Sequence, residues 1–262
     1  MTIADGPHEP VLAPVAARYA WWLGLPAHRT AERDVPPEQV WAMPVVLRME
    51  KTRPPSRTSL LEAAASAALA VCLDDEARPG GAWYEPLYTW TSGHIRKVAR
   101  RARGAHWEAV QRLPGVTVDV AGAQARALVP CRVGDLPREV ARLQISGSDL
   151  PADDPGPPPD DRPVLLLNPR VAMSAGKAAA QVGHATMLLA ALLDTPDLTA
   201  WAMRDYRCAV RVADQDLWDE GVAAVSDPQR AWGEHGLVAV RDAGFTEVEP
   251  GTVTVLARWS RP

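Results

Sequence analysis

The sequence predicts an α/β protein of two tandem units, each a four-stranded mixed sheet flanked by helices. Two observations lead to this prediction. Short runs of branched apolar residues, typical of strands, alternate with alanine-rich runs typical of helices. The order in which they occur before a proline-rich segment is repeated after it. The 262 residues, of which 47% are hydrophobic, suffice for one large domain or two of ordinary size.

The proline-rich segment DLPADDPGPPPDDRP, residues 149–163, marks the clearest boundary. Proline keeps the backbone extended, and the aspartates favour water over a buried position, so the segment predicts a semi-rigid linker. We therefore expect a helical extension over 1–40, a first unit over 41–148 and a second unit over 164–262.

The second unit begins with VLLL, residues 164–167, a continuous apolar run expected of a strand covered on both faces. The loop NPRVAMSAG follows, in which Ser174 is placed to cap a long helix. RCAVRV then predicts a strand, DQDLWDEGVAAV a helix, and GLVAVRDAG another strand. Pro250 and Gly251 mark a turn before a last strand at 252–259.

The first unit follows the same order. MPVVLRME, residues 43–50, corresponds to the first strand, and TSLLEAAASAALAVCL, residues 58–73, to the long helix. The later segments HIRKVARRA, AHWEAVQRL, GVTVDVAG and ARALVP correspond in turn to the second strand, the second helix and the last two strands. Two unrelated α/β units with similar patterning are the alternative interpretation.

A shift of 118 residues superposes the two long helices without a gap. On this shift three polar residues of the second helix meet small residues of the first: Lys177 meets Ser59, Gln181 meets Ala63, and His184 meets Ser66. The first copy thus retains the packing pattern and loses the polar groups. We expect one half to carry a working site and the other to act as scaffold.

The polar groups lie in MSAGKAAAQVGHATMLLAALL, residues 173–193. Lys177, Gln181 and His184 fall within about 60° of one another on an otherwise apolar helix, which indicates a narrow seam facing a cleft. The first turn of the helix also suits an anion or a developing oxyanion beside Lys177. Taken singly, these residues could equally be a solvated lysine, a satisfied core histidine and a helix pair.

Composition excludes several classes of protein. The net charge of −4 does not indicate a nucleic-acid partner, and the three distant cysteines are typical of reduced thiols in a cytoplasmic protein. We see no signal peptide and no apolar run long enough to span a bilayer. No metal-ligand cluster, serine elbow or phosphate-binding glycine loop is present, so we expect neither a metal nor a cofactor.

Two motifs carry a family resemblance. GKAAAQVGHAT (176–186) with VRDAGFTEVEPGTVTVLA (240–257) resembles the type 2, archaeal and eukaryotic, peptidyl-tRNA hydrolase family. That family has a G-K-x-A-A-Q-x-x-H-A helix followed by D-A-G-x-T-x-x-x-P-G-T-x-T-V-L. The resemblance covers about 162–262, with a degenerate echo over 41–130. It implies a four-stranded mixed sheet and hydrolysis of the ester between a peptide and the tRNA 3′ ribose, which releases free tRNA.

The resemblance also implies site residues. Lys177, Gln181 and Asp242 match the positions held to be functional in the family, and His184 and Thr186 match further motif positions that we assign to substrate binding. The chemistry is coherent. Asp242 would orient or deprotonate a water, Lys177 would neutralise an oxyanion or the terminal phosphate, and Gln181 would hold substrate or water.

The sequence departs from the family pattern at two places. Only Arg170 is basic in the loop before the helix, where we assign it to substrate binding, and Phe245 replaces an arginine. The main basic stretch is instead HIRKVARRAR (94–103) in the first unit. We expect it to be either a solvated edge or a surface for the tRNA backbone. The residues concerned are Arg96, Lys97, Arg100 and Arg101.

Two functions therefore remain open. The first is an active hydrolase acting on peptidyl-tRNA, in which the tandem chain forms an intramolecular pseudo-dimer. The second is a non-catalytic scaffold that binds RNA or a protein and retains part of the site. The motif residues favour the enzyme, whereas the missing arginine and lysines favour the scaffold.

Overall fold

The computed structural model of the chain describes residues 10–260; the first nine residues of the expected extension lie outside this range. The extension contributes helix α1 (Ala13–Gly24) and the short α2 (Ala27–Thr30). Proline at the start of α1 is compatible with the helix, because the first turn leaves its N–H groups unbonded anyway.

The first unit contains a four-stranded sheet. The strand order is β2-β1-β4-β3, in which the outer pair β2-β1 is parallel and the other two pairings are antiparallel, with the short β5 paired to the start of β1. Its elements are β1 (Trp41–Arg48), α3 (Arg57–Cys72), α4 (Tyr84–Ser92), β2 (Lys97–Ala102), α5 (Ala105–Val110), β3 (Gly115–Val120), β4 (Ala123–Leu128), β5 (Cys131–Arg132) and α6 (Arg138–Ala141).

The second unit repeats this topology. Its sheet has the order β7-β6-β9-β8, again with a parallel outer pair, here β7-β6, and two antiparallel pairings. Its elements are β6 (Val164–Leu167), α7 (Ala175–Leu192), α8 (Thr195–Ala202), β7 (Ala209–Val212), α9 (Gln215–Ala224), α10 (Pro228–His235), β8 (Leu237–Arg241) and β9 (Val253–Arg258). The predicted fold class, two tandem α/β units with four-stranded mixed sheets, is confirmed.

The predicted shift of 118 residues holds at the start of the two long helices. Ser56 caps α3 by accepting a hydrogen bond from the backbone N–H of Ser59, and Ser174 caps α7 in the same way from Lys177. Each helix therefore starts one residue after its serine, because that side chain satisfies an N–H that the helix leaves open.

The likeness extends to two helices that the sequence analysis did not predict, α4 and α8. Each holds a buried tryptophan, Trp90 or Trp201, whose indole N–H donates to the carbonyl six residues later, that of Arg96 or Arg207. A buried indole needs such an acceptor. The same tryptophan–carbonyl hydrogen bond therefore ties α4 to the residues before β2 and α8 to the residues before β7.

The two units pack through α3 and α7, whose alanine-rich surfaces allow close approach. One apolar core runs through both helices and both sheets. Buried hydroxyl groups cross the interface: Thr186 Oγ1 donates to the Ala65 carbonyl at 2.9 Å, and Ser66 Oγ to the Tyr206 carbonyl at 2.9 Å. Neither hydroxyl is exposed to water, so each needs the partner it has.

Helix α1 bridges the two units. The Tyr19 hydroxyl accepts a hydrogen bond from the backbone N–H of Ala239 on the edge strand β8, and Arg18 donates to the carbonyls of Thr91 and Ser92 at the end of α4. The helix thus covers part of an open sheet edge. Across residues 10–260, none of the helices combines the length and the apolar composition that a bilayer crossing requires.

The units differ most in the connection between their last two strands. In the first unit Ala121 and Gly122, both with positive φ, join β3 to β4 in a two-residue turn. In the second unit residues 242–252 form a long loop between β8 and β9. Residues 149–163 form neither helix nor strand, and Asp153 accepts hydrogen bonds there from Ser56 and Thr58 at the start of α3.

Candidate active site

The polar seam of α7 lines a cleft of about 450 Å³. Three parts of the chain build its walls: α1, the residues 93–99 that lead into β2, and the second unit with α7 and the loop 242–252. Lys177, Gln181 and His184 all border this space, as does Asp242. Residues from the extension and from the first unit therefore enclose the site of the second.

Lys177 and Asp242 form the central ion pair of the cleft. Lys177 Nζ lies 2.6 Å from Asp242 Oδ2, and the two side chains are only 9% and 8% exposed. Lys177 stands in the first turn of α7, whereas Asp242 directly follows β8. The ammonium also donates to Thr246 Oγ1 at 2.9 Å. Of its three N–H groups two are thus engaged, and one remains for a ligand.

Gln181 is held between two neighbours. Its Nε2 donates to Asp242 Oδ2 at 2.8 Å, and its Oε1 accepts from the hydroxyl of Thr254 at 2.5 Å. A carboxylate only accepts hydrogen bonds, so the amide nitrogen must face Asp242. The amide orientation is therefore fixed, and its second N–H remains unassigned within the network.

Asp242 accepts from three donors. Besides Lys177 and Gln181 on Oδ2, the backbone N–H of Gly244 donates to Oδ1 at 2.8 Å. Gly244 has φ of 82°, and a Cβ there would lie 2.5 Å from Pro250, so this tight turn requires glycine. Because a carboxylate offers about four acceptor positions, one position on Oδ1 stays free for a water.

The loop and the helix start are fixed together by Glu247. Its carboxylate accepts from the backbone N–H of Ser174 at 2.8 Å and from the Ser174 hydroxyl at 2.7 Å. An acidic side chain at this place is favourable because the N-terminus of a helix carries partial positive charge. The contact holds Lys177 and Asp242 at a set separation although they are 65 positions apart in the chain.

His184 is paired with a lysine of the first unit. Lys97 Nζ lies 2.9 Å from His184 Nδ1 and 5.2 Å from the centre of the Trp90 ring. Burial lowers the pKa of Lys97 to about 7. Burial, and next the positive charges of Lys97 and Lys177, lower the pKa of His184 well below its usual value. The imidazole is therefore neutral at physiological pH, although part of it still faces the cleft.

The predicted basic stretch divides into two parts. Arg96 lies at the cleft, where it pairs with Asp34 at 2.7 Å and its guanidinium stands 5.4 Å from the ring centre of Phe245. A cation of the first unit thus sits beside the residue at which the resemblance expects an arginine. Arg100 instead donates to the Leu143 carbonyl at 2.8 Å, and Arg101 binds Gln144, both outside the cleft.

Two further predicted residues lie away from the cleft. Arg170 is exposed and makes a two-pronged ion pair with Asp219, at 2.7 and 2.6 Å. Thr186 is fully buried between α7 and α3. The structure thus brings Lys177, Gln181, Asp242, His184, Arg96 and Lys97 together and places Arg170, Thr186, Arg100 and Arg101 elsewhere.

Sequence reasoning missed three residues that support the site. Thr246 binds Lys177, Thr254 orients Gln181, and Glu247 fixes the start of α7. All three lie within the motif at 240–257, but the motif alone does not show which residues these side chains contact. A larger groove of about 890 Å³ lies along β6, β7 and α9; its lining is mainly apolar and includes none of the predicted catalytic residues.

Comparison with known proteins bears on the second half of the chain. A search of curated proteins found no match. A family model described as peptidyl-tRNA hydrolase PTH2 matches residues 162–259, a range that includes every residue of the Lys177–Gln181–Asp242 network. The resemblance predicted for the second half of the chain is thus confirmed, and that half is similar to the peptidyl-tRNA hydrolases of the PTH2 family.

Proposed function

We propose that the cleft hydrolyses the ester bond between a peptide and the 3′ ribose of tRNA. One observation carries the proposal: the ammonium of Lys177 and the amide of Gln181 both donate to a single carboxylate oxygen, Asp242 Oδ2, inside a cleft. The family match over residues 162–259 supports the same reaction class.

The reaction needs a water held beside the ester carbonyl. The free acceptor position on Asp242 Oδ1 holds the O–H of such a water and orients its oxygen towards the carbonyl carbon. Addition forms a tetrahedral intermediate. Its collapse breaks the bond to the ribose oxygen, which leaves as a hydroxyl with one proton of the attacking water. The peptide leaves as a carboxylate, and the other proton of the water passes to the solvent.

Charge that develops on the carbonyl oxygen needs a donor that is already in place. The third N–H of Lys177 supplies it, and the second N–H of Gln181 is the nearest further donor in the network. Since Asp242 and Thr246 already fix the ammonium, little reorganisation accompanies the reaction. Loss of one such donor lowers rates about 100-fold in other hydrolases.

The tRNA 3′ end would meet positive groups from both units. Arg96 and Lys97 of the first unit border the same cleft as Lys177. Residues 162–262 hold ten Lys and Arg against twelve Asp and Glu, so the second unit alone offers little attraction for phosphates. We therefore assign part of the phosphate contacts to the first unit.

A single-turnover assay on labelled peptidyl-tRNA tests the proposal. Wild-type protein should release the peptide, and Lys177→Ala or Asp242→Asn should slow release about 100-fold or more with an unchanged circular dichroism spectrum. Release by neither wild type nor variants, together with retained binding of tRNA or of a protein, would establish the scaffold function instead.

A further inference from the structure

We propose that Lys97 of the first unit is a positioning residue for the cleft of the second unit, where it holds His184 as a neutral imidazole with its proton on Nε2. The inference rests on the proposed function, because it assigns the imidazole to the substrate of the same cleft. The first unit then contributes to the site and is more than a scaffold.

The contact itself sets the tautomer. Lys97 Nζ lies 2.9 Å from His184 Nδ1. Below its pKa of about 7 the lysine is an ammonium, which can only donate, so Nδ1 accepts and the ring proton stays on Nε2. The Trp90 ring, 5.2 Å from Nζ, backs the ammonium by a cation–π contact. Three elements, α4, β2 and α7, therefore hold this pair in place.

Gly183 opens the path for the lysine. A Cβ at this position would lie 3.3 Å from both Cδ and Cε of Lys97 and 2.9 Å from Cβ of Ala68. Glycine is among the least favourable residues inside a helix, and it stands here in the middle of α7. The position is explained by the close passage of α3 and of the Lys97 side chain.

The corresponding position of the first unit has no such pair. Ser66, which the shift of 118 residues places opposite His184, donates to the Tyr206 carbonyl just before β7. At this position Ser66 contacts the residues just before β7 of the second unit, and His184 contacts the first residue of β2 in the first unit. Only the second unit places a titratable pair there, and it does so beside its catalytic network.

The charged and titratable groups around His184 come from three elements. Lys97 lies on β2 and Lys177 on α7, and both oppose a proton on the ring; Cys72 of α3 faces Lys97. Burial and these cations keep the imidazole neutral. Its Nε2–H is then an uncharged donor for an oxygen of the substrate, either the ester carbonyl or a phosphate, beside the charged donor Lys177.

Nitrogen-15 NMR of the histidine rings, recorded on the full chain below pH 7 where Lys97 is protonated, tests whether Lys97 sets the tautomer of His184. The wild-type His184 signal, assigned by its loss in His184→Gln, should show an unprotonated Nδ1 and a protonated Nε2. In Lys97→Met it should show a mixture of tautomers and a pKa that moves up towards the ordinary value. The exposed Lys51 provides a matched control, because Lys51→Met removes the same group outside the cleft.

Single-turnover hydrolysis tests whether the imidazole held in this way contributes to the reaction. Lys97→Met should lower the rate about tenfold, the effect of one hydrogen bond, with the concentration at half-maximal rate changed by less than about twofold. Lys51→Met should leave the rate unchanged. An unaltered His184 tautomer in Lys97→Met overturns the proposal, and so does an altered tautomer with an unaltered rate. If the wild type hydrolyses no peptidyl-tRNA, the proposed function fails, and the ring spectra alone decide whether Lys97 positions His184.

Discussion

The two units share a topology and differ at the places that correspond to the candidate site. Their sheets have the same strand order and their long helices start 118 residues apart after a capping serine. The first unit closes its last hairpin with two residues, whereas the second inserts the loop 242–252 that carries the carboxylate. One framework can thus lose a site through a shorter loop and smaller side chains while its packing is preserved.

The difference is not simply between a working half and an inert half. The first unit lost its own polar seam but directs Arg96 and Lys97 into the cleft of the second. Its helix α3 also supplies the surface on which α7 packs. The polar network of the cleft therefore comes from one unit, and the other unit completes its surroundings.

The largest expected effect on stability comes from replacing Ser66 of the first unit by histidine, the residue at the corresponding position of the second unit. Ser66 is fully buried, and its hydroxyl donates to the Tyr206 carbonyl. Ser66→His should therefore destabilise the protein by about 3 kcal/mol in urea unfolding, because it overfills the interface. The reverse change, His184→Ser, lies at the cleft and should change stability by less than about 1 kcal/mol. Equal effects at both positions would refute the difference between the units.

A second change tests how close α3 and α7 must approach. Gly183→Ala places a Cβ 2.9 Å from Ala68 Cβ, an atom that cannot rotate away, so we expect a loss of about 1–3 kcal/mol in unfolding free energy. Gly233 in α10 provides the control. Apart from its chain neighbours and the backbone of α10, no atom of residues 10–260 lies within 4 Å of a Cβ built there, and Gly233→Ala should stabilise by about 0.5–1 kcal/mol. Stabilisation by both changes would show a looser interface.

A third change separates function from stability at Lys97. Burial lowers its pKa to about 7, against about 10.4 in an unfolded chain. Between these pH values the unfolded chain binds a proton that the folded chain does not, so this residue makes wild-type stability rise with pH. Lys97→Met should then stabilise the protein by about 1–2 kcal/mol at pH 7, and the gain should shrink by pH 10. A loss of stability in urea titrations at pH 7 would instead indicate a structural lysine.

The smallest effect compares the two capping serines. Ser56→Ala and Ser174→Ala should each cost about 1 kcal/mol of stability, because each removes one N-cap hydrogen bond. Only Ser174→Ala should also slow peptide release, because Ser174 ties Glu247 to the start of α7. The slowing should be about a few-fold, as expected when one hydrogen bond is weakened. Equal activity of the two variants would show that the cap has no role in the site.

The sequence predicted the fold well because periodicity and caps are local. The strands, the long helices, Ser174 as a cap and the seam on α7 all follow from residues near one another in the chain. The helices α4, α8 and α10 went unpredicted, although Asp194 and Asp227 are recognisable N-caps for the last two. The division of the basic stretch could not be predicted, because it depends on contacts of Arg100 and Arg101 with residues about 43 positions away.

The site was predictable only as far as the motifs reach. Lys177, Gln181 and Asp242 follow from the resemblance, and the structure places them within hydrogen-bond distance. The pairing of Lys97 with His184 joins residues 87 positions apart across a unit boundary, and nothing local encodes it. Thr186 illustrates the opposite limit, since a motif position turned out to serve the helix interface.

One measurement tests the account most directly: a crystal structure with a peptidyl-adenosine analogue whose ester is replaced by an amide. The account predicts that the analogue binds in the cleft between α1, β2 and α7. Its carbonyl oxygen should lie about 3 Å from Lys177 Nζ, and its carbonyl carbon about 3–3.5 Å from a water on Asp242 Oδ1. An analogue bound in the apolar groove along β6 and β7, or with its carbonyl directed away from Lys177, would contradict the account.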